Sequence, residues 1–214
     1  MTKGFFITFE GAEGTGKSTQ TRLLTSYLET KGIQSILTRE PGGSDGAEQI
    51  RSLVLRGDTE RWDSVTEMLL MYAARRDHVC KKILPALNSG KTVICDRFAD
   101  STMAYQGYGY GKNGIEKNDL NDIYRIVLGD LKPDLTLIMD LPVEIGLARS
   151  LARDPDSNRY ERMGKDFHRN LRKAFLDIAE NNPERCVVID ASKSVEDIAT
   201  EIKTVVDARL LKGK

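Results

Sequence analysis

Short apolar runs alternate along the chain with longer stretches in which apolar residues recur every three or four positions. The apolar runs of strand length lie at 5–9, 33–38, 92–95, 135–139 and 187–190. Stretches with helical spacing lie at 18–31, 47–55, 62–88, 116–131, 143–152, 166–181 and 195–211. Strands that alternate with helices in this way predict an α/β fold, with a parallel sheet covered by helices on both faces.

Glycine and proline mark two helix ends within this pattern. Gly32 follows the first helical stretch, where a left-handed cap is expected. Pro85 lies inside the long stretch 62–88 and predicts a bend or interruption there, because proline lacks the amide hydrogen that a helix interior needs. The apolar stripe of this long stretch is wide enough for either core packing or a subunit interface.

A glycine-rich segment follows the first predicted strand and opens the first predicted helix. Gly11 to Ser18 fit the P-loop pattern of Gly, four variable residues, Gly, Lys, and Ser or Thr. Glycines let backbone N–H groups surround phosphate oxygens, and the helix N-terminus adds its dipole. Lys17 would neutralise the β and γ phosphates, and Ser18 would be a ligand of Mg²⁺. The residues predicted to contact the nucleoside triphosphate are Gly11, Ala12, Glu13, Gly14, Thr15, Gly16, Lys17, Ser18 and Thr19.

The alternative for this segment is a turn that only joins strand to helix. Two further charged pairs weigh against it, because Arg39-Glu40 and Asp96-Arg97 also directly follow predicted strands. The carboxyl ends of parallel strands share one edge of the sheet, where ligands of such proteins bind. Ordinary polar loops are the alternative for both pairs. An arginine-rich break at 153–162 is a candidate lid, although such a segment is also typical of a surface loop.

Composition limits the classes of partner. Lys plus Arg total 32 and Asp plus Glu total 32, so charge offers no case for nucleic acid or membrane partners. No apolar run approaches the length of a membrane span, and we find no signal-peptide pattern. We therefore expect a cytoplasmic protein with one domain over 1–214. Three cysteines at unrelated spacings predict reduced thiols, and two helical histidines have no metal-ligand companions.

A P-loop beside two charged strand ends suits phosphoryl transfer, which needs positioning and charge neutralisation more than covalent work by the protein. A switch GTPase fits less well, because no Asn-Lys-x-Asp stretch is present for guanine recognition and Asp140-Leu141-Pro142 matches Asp-x-x-Gly poorly. A slow ATPase that changes partners remains an alternative from a different class.

Three motifs together resemble the thymidylate kinase family over nearly the whole chain. They are Phe9-Glu10-Gly11-x-Glu13-Gly14-x-Gly16-Lys17-Ser18, Thr38-Arg39-Glu40-Pro41-Gly42-Gly43, and Asp96-Arg97-Phe98-x-x-Ser101-x-x-Ala104-Tyr105-Gln106. The resemblance implies the P-loop nucleoside monophosphate kinase fold, with a five-stranded parallel sheet and a small lid at about 149–164. It also implies a homodimer that transfers the γ-phosphate of ATP to dTMP with Mg²⁺, in dTTP biosynthesis.

The resemblance also assigns roles to individual residues. Catalytic roles fall to Lys17, Arg97, Arg153 and Glu13, with Arg97 on the acceptor phosphate and Glu13 near the sugar 3′-hydroxyl. Asp96 joins Ser18 at the metal. The residues assigned to the acceptor are Arg39, Glu40, Met71, Tyr72, Arg75, Arg97, Ser101, Tyr105 and Gln106. Among them, Tyr105 would favour a 2′-deoxy sugar and Arg75 would bond the thymine ring. Met71 departs from the family pattern, which usually has a thymine-stacking Phe there.

The lid resembles that of bacterial members of the family. They keep the P-loop free of a basic residue and supply arginine from the lid, and here Arg149, Arg153 and Arg159 lie in that segment. Arg153 is the expected catalytic arginine. Another nucleoside monophosphate kinase, or a deoxynucleoside kinase with Glu13 as a general base, is the closest alternative, and testing dTMP and thymidine separately distinguishes them.

Overall fold

The computed structural model of the chain describes residues 4–153 and 159–210, without the side chain of Arg153. Its sheet consists of five parallel strands, as predicted. The strands are β1 Phe6–Glu10, β2 Ser35–Arg39, β3 Thr92–Asp96, β4 Leu135–Asp140 and β5 Cys186–Asp190. Their order across the sheet is β2-β3-β1-β4-β5. Because β1 lies at the centre with β3 and β4 beside it, the loops that follow these strands meet at one edge of the sheet.

Helices cover both faces of this sheet. They are α1 Lys17–Thr30, α2 Asp45–Leu55, α3 Ser64–His78, α4 Leu84–Asn88, α5 Ala99–Thr102, α6 Lys117–Leu128, α7 Val143–Arg153, α8 Lys165–Asn181 and α9 Val195–Leu210. Ile7 shares one buried cluster with Leu24 of α1 and Ile202 of α9. Phe6 points to the other face and shares a second cluster with Leu120 of α6. No helix in the described ranges has both the length and the apolarity that a membrane crossing requires.

The long predicted helix 62–88 is interrupted, as Pro85 predicted. Helix α3 ends at His78, a π-helical turn follows at Val79–Ile83, and α4 begins at Leu84. Pro85 lies in the first turn of α4, where its missing amide hydrogen leaves no bond unmade. Gly32 takes the expected left-handed conformation after α1, with φ of 68°.

The helical region after β3 was not predicted. Helix α5 continues into a π-helical segment, Met103–Gly109, where the sequence is rich in glycine and tyrosine. Its first turn is held by a distant residue, since the Glu10 carboxylate accepts hydrogen bonds from the amides of Phe98 (2.7 Å) and Ser101 (3.3 Å). Because Glu10 is about 90 residues away in sequence, local sequence preference cannot predict this interaction.

Candidate active site

The P-loop wraps around the side chain of its own lysine. Lys17 Nζ donates to the carbonyl oxygens of Ala12 (2.7 Å) and Gly11 (3.1 Å) and to the Thr15 hydroxyl (3.2 Å). The loop also packs tightly against α7, because a Cβ on Gly14 would lie 2.0 Å from the Gly146 carbonyl oxygen. Glycine is required there. The ammonium group and the first amides of α1 thus form a compact anion-binding site.

Burial lowers the pKa of Lys17 to about 8, and the charge of Arg97 acts in the same direction against the attraction of Glu13. The ammonium form therefore still predominates at pH 7. Bound phosphate would replace its backbone oxygen partners with full negative charges and stabilise that form further.

Ser18 and Asp96 are the residues that could hold Mg²⁺. The Ser18 hydroxyl donates to Asp96 Oδ2 at 2.7 Å, which brings two hard oxygen ligands together beside the P-loop. Among the described residues, no group of three or more His, Cys, Asp or Glu residues could hold a metal ion. A magnesium ion at this position would need nucleotide oxygens and water to complete its coordination, which is the usual state of Mg²⁺ in kinases.

Arg97 links the loop after β3 to the P-loop. Its guanidinium donates to the Gly11 carbonyl oxygen (2.8 Å), the Ser101 hydroxyl (3.2 Å) and Glu13 Oε1 (3.0 Å). Tyr105 donates to the same Glu13 oxygen at 2.6 Å. The backbone of Arg97 has φ of 70°, an unusual conformation for a residue other than glycine. Such strain persists where the surrounding contacts determine it, and it often accompanies function.

The Glu13 carboxylate is ionised throughout the physiological range. Burial alone would raise its pKa, but Arg97 and Lys17 outweigh burial and lower the pKa to about 2. Burial would lower the pKa of Arg97, and Glu13 instead raises it. The two side chains therefore form a nearly buried ion pair between the P-loop and the loop after β3.

Glu10 supports this ion pair through Ser101. Its Oε2 accepts the Ser101 hydroxyl at 2.6 Å, and Ser101 in turn accepts from Arg97. Burial, followed by the nearby charge of Asp100, raises the pKa of Glu10 to about 8. Glu10 therefore holds the segment that carries Arg97 and Ser101, and it was not among the predicted site residues.

Replacing Glu10 by glutamine is expected to stabilise the protein more at pH 9 than at pH 5. The folded-state pKa of about 8 lies above the ordinary 4.5, so the folded protein retains a proton that the unfolded chain loses in this window. Stability from this group is present below pH 4.5 and is lost as the pH rises towards 8. A neutral glutamine lacks this loss, which amounts to about 2–4 kcal/mol at roughly 1.4 kcal/mol per pKa unit.

Urea unfolding of the wild type and of Glu10→Gln at both pH values measures this difference. The matched control is Glu29→Gln, which removes an exposed carboxylate from α1. An equal effect of Glu10→Gln on the free energy of unfolding at pH 5 and pH 9 would contradict the prediction.

A cavity of about 450 Å³ joins the P-loop to the segment after β3. It brings most predicted site residues together from four separate parts of the chain. Those in its wall are Glu13, Gly14, Thr15, Gly16, Lys17, Ser18, Thr19, Arg39, Glu40, Met71, Arg75, Asp96, Arg97, Ser101, Tyr105 and Gln106. The P-loop phosphate site thus opens into the space where an acceptor would lie.

Arg75 is fixed in the wall of the cavity by three hydrogen bonds. It donates to Glu40 Oε2 (2.7 Å), to the Thr102 hydroxyl (3.0 Å) and to the Phe98 carbonyl oxygen (2.9 Å). Glu40 also bonds His78 Nδ1 at 2.9 Å through its other oxygen. Glu40 therefore acts on the site by holding Arg75. A guanidinium has five N–H groups, of which Glu40, Thr102 and Phe98 accept three.

Tyr72 does not line the cavity. Its side chain is buried in the apolar cluster that contains Phe6, Met68 and Phe98, with the Arg75 guanidinium 4.8 Å from its ring centre. Helix α3 is oriented so that the adjacent residue, Met71, lies in the cavity wall instead. The structure thus separates two neighbours that the sequence assigned to the same surface.

The lid arginines have different surroundings. Arg159 was predicted to be a lid residue, but its guanidinium is fully buried and donates to the Thr59 carbonyl oxygen (2.8 Å) and to Glu67. Arg149 donates to the Ala191 carbonyl oxygen after β5 at 3.2 Å. The side chain of Arg153 lies outside the described part of the chain, as do residues 154–158 at the centre of the predicted lid.

The cavity also has wall residues that the sequence did not identify. They include Arg22, Arg51, Leu55, Thr102, Tyr160 and Glu161. Arg51 lies on α2 and donates to the Pro41 carbonyl oxygen at 2.6 Å. Burial, followed by the charge of Arg39, lowers its pKa, which indicates a concentration of positive charge on this side of the cavity. In the sequence it is an ordinary arginine of an amphipathic helix, which gives no signal of a site.

Similarity to known proteins agrees with this geometry. The family model described as thymidylate kinase matches residues 9–202. A thymidylate kinase from Caulobacter vibrioides is 51% identical over 210 residues, which are 98% of this chain and 99% of that protein. One from Bradyrhizobium sp. (strain ORS 278) is 51% identical, with 97% of this chain and 92% of that protein covered. A crystal structure of thymidylate kinase from Ehrlichia chaffeensis has 37% identity and a TM-score of 0.76, covering 95% of this chain and 99% of that chain.

Proposed function

Because the chain belongs to the thymidylate kinase family, we propose that it phosphorylates dTMP to dTDP with ATP as the phosphate donor. The observation that carries the proposal is the single cavity in which the P-loop lysine, the Arg97–Glu13 pair and Arg75 meet. A triphosphate on the P-loop would direct its γ-phosphate towards an acceptor held by Arg97. Such positioning with charge neutralisation is the main requirement of phosphoryl transfer.

At the donor end, the P-loop amides and Lys17 would bind the triphosphate. Mg²⁺, held by Ser18 and Asp96, would neutralise charge on the β and γ phosphates when bound. Arg149, beside the Ala191 carbonyl oxygen, lies near the segment after β5 that is the candidate adenine site. At the acceptor end, Arg97 and Arg51 are the cations for the dTMP phosphate, and Arg39 lies in the same wall.

The sugar and base of dTMP would occupy the rest of the cavity. Tyr105 would lie under the deoxyribose, with Glu13 close to the 3′-hydroxyl. Ser101, Met71, Gln106 and Arg75 would surround the thymine ring. The proposed lid spans about 149–164. Within it, Arg153, whose side chain is not described, is the proposed arginine that closes on the transferring phosphoryl group.

The charge state of Glu13 favours a monophosphate acceptor over a nucleoside. A neutral hydroxyl needs a general base with a pKa near the working pH, whereas a phosphate oxygen is already an anionic nucleophile. With a pKa of about 2 and hydrogen bonds from Arg97 and Tyr105, Glu13 is poorly suited to abstract a proton. Its carboxylate serves instead to orient Arg97.

The test is a coupled assay of ADP release with ATP, Mg²⁺ and one acceptor at a time. The acceptors are dTMP, dUMP, dCMP, dGMP, UMP and thymidine. We expect the highest kcat/KM with dTMP and little turnover of thymidine. An acceptor-independent rate of ADP release would favour the ATPase alternative, and a preference for thymidine would favour a deoxynucleoside kinase.

We also propose that the chain forms a homodimer through α3 and the adjacent α6. Val65 and Leu69 lie one turn apart on α3 and are about half exposed, and Ile126 of α6 is 77% exposed. Leu69→Glu is expected to convert the dimer to a monomer, because a charge in an apolar interface loses its hydration. Analytical ultracentrifugation measures this, with Leu23→Glu on α1 as the control. A wild type that sediments as a monomer would refute the dimer.

A further inference from the structure

Glu67 is a fully buried carboxylate whose acceptor sites are all occupied. It lies in the first turn of α3 and contacts Gln106, which belongs to the cavity wall. Its Oε1 accepts from the Tyr110 hydroxyl (2.6 Å) and from Arg159, and its Oε2 accepts from the Tyr160 hydroxyl (2.9 Å) and from Gln106 Nε2 (3.1 Å). An ionised carboxylate has about four acceptor positions, and here each meets a donor.

This arrangement determines which end of the Gln106 amide faces Glu67. A carboxylate can only accept hydrogen bonds, so Gln106 must direct its NH₂ group towards it. The Tyr160 hydroxyl, 3.2 Å from Nε2, lies on the same side. The amide oxygen of Gln106 is therefore the end that remains for the cavity.

The Gln106 oxygen lacks a hydrogen-bond partner among the described residues, although Gln106 is fully buried and belongs to the cavity wall. A buried carbonyl oxygen without a donor is unfavourable by about 1–3 kcal/mol, and a ligand that donates a hydrogen bond would remove this penalty. Arg75, in the same wall, has only N–H donors to offer a ligand. The wall therefore combines a donor with an acceptor.

We infer that Glu67 is a positioning residue that orients the Gln106 amide and thereby selects a pyrimidine with an N–H donor in its ring. Thymine has the O4 acceptor next to the N3–H donor, which complements Arg75 and the Gln106 oxygen. Cytosine has the reverse, an amino donor next to an N3 acceptor. This inference rests on the proposed function, since it concerns how the dTMP site rejects dCMP.

The same carboxylate also holds the base of the lid. Arg159 and Tyr160 belong to a 3₁₀ turn, Arg159–Arg162, and Tyr160 and Glu161 of this turn line the cavity. For a variant of Glu67, the informative measurement is therefore the ratio of kcat/KM between acceptors. Loss of the contacts to Arg159 and Tyr160 alone would lower turnover of every acceptor equally and leave this ratio unchanged.

Glu67→Gln is the direct test. Arg159 can only donate and therefore requires the oxygen on its side, so the new amide would turn its NH₂ group to Gln106 and force that residue to rotate. Gln106 would then present NH₂ to the base. We expect the ratio of kcat/KM for dTMP over dCMP to fall by about 10–100-fold, the range given by one or two reversed hydrogen bonds at 1–3 kcal/mol each.

Two further variants separate orientation from simple structural support. Tyr110→Phe removes one hydrogen bond to Glu67 without contacting Gln106, and it should leave the selectivity ratio unchanged. The double variant Glu67→Gln/Gln106→Glu exchanges the two side chains. One oxygen of the new carboxylate at position 106 would accept a hydrogen bond from the new amide at position 67, and its other oxygen would face the cavity. This double variant should recover most of the dTMP preference, and it also decides the matter if the single variant does not fold.

Equal losses of kcat/KM for dTMP and dCMP in Glu67→Gln, with the ratio within about twofold of wild type, would overturn the inference. A double variant that folds but lacks the dTMP preference would overturn it too. Failure of the proposed function is distinguishable, because it would be seen in the wild type alone as a preference for an acceptor other than dTMP.

Discussion

Replacing Lys17 by methionine is expected to lower kcat for dTMP phosphorylation by about 10²–10³-fold, the usual effect of removing one group that stabilises transition-state charge. Methionine fills a similar volume in the buried P-loop site but has no charge. The bonds that Lys17 makes to Ala12 and Gly11 show that its ammonium group already lies inside the loop, where phosphate oxygens would bind. Binding of dTMP should change little, because the base end of the cavity is unaltered.

Steady-state kinetics and calorimetric titration with dTMP measure these two effects separately. Lys31→Met, at the exposed end of α1, is the matched control. In the wild type, kcat/KM for ATP should decline as the pH rises past about 8, where free Lys17 loses its proton, and Lys17→Met should lack this decline. A kcat within threefold of wild type would exclude a role for Lys17 in the reaction.

Arg97→Ala is expected to lower both activity and stability, through two separable causes. Activity with dTMP should fall by about 10²–10³-fold in kcat/KM, because the acceptor phosphate loses its principal cation. Stability should fall by about 3 kcal/mol, because Glu13 would remain as a nearly buried carboxylate without its ion-pair partner. The low pKa of Glu13 depends on that partner.

The double variant Arg97→Ala/Glu13→Gln separates the two causes. Glutamine removes the unpaired charge but can still accept the Tyr105 hydrogen bond, so we expect most of the stability to return while kcat/KM stays low. Urea unfolding and acceptor kinetics on the same samples measure both. Recovery of activity together with stability would mean that Arg97 acts only by supporting the fold.

Local pattern was sufficient for the main features of the fold and of the P-loop site. The strand and helix periods predicted all five strands. The pairs Arg39-Glu40 and Asp96-Arg97 lie at the carboxyl ends of β2 and β3, in the wall of the cavity. Strand alternation, glycine-rich phosphate loops and interruption by proline depend on residues that are close in sequence. For that reason a single chain contains enough information to predict them.

The sequence by itself therefore determined the parallel α/β sheet, the P-loop, and the meeting of Lys17, Ser18, Asp96 and Arg97 at one sheet edge. Only the tertiary structure decided the orientation of α3 about its axis, which places Met71 in the cavity wall and buries Tyr72 in the core. It also decided that Arg159 is buried against Glu67, 92 residues away, and that Glu10 supports Ser101, 91 residues away. The physical reason is that the environment of a polar side chain depends on partners that are distant in sequence and become neighbours only when the chain has folded.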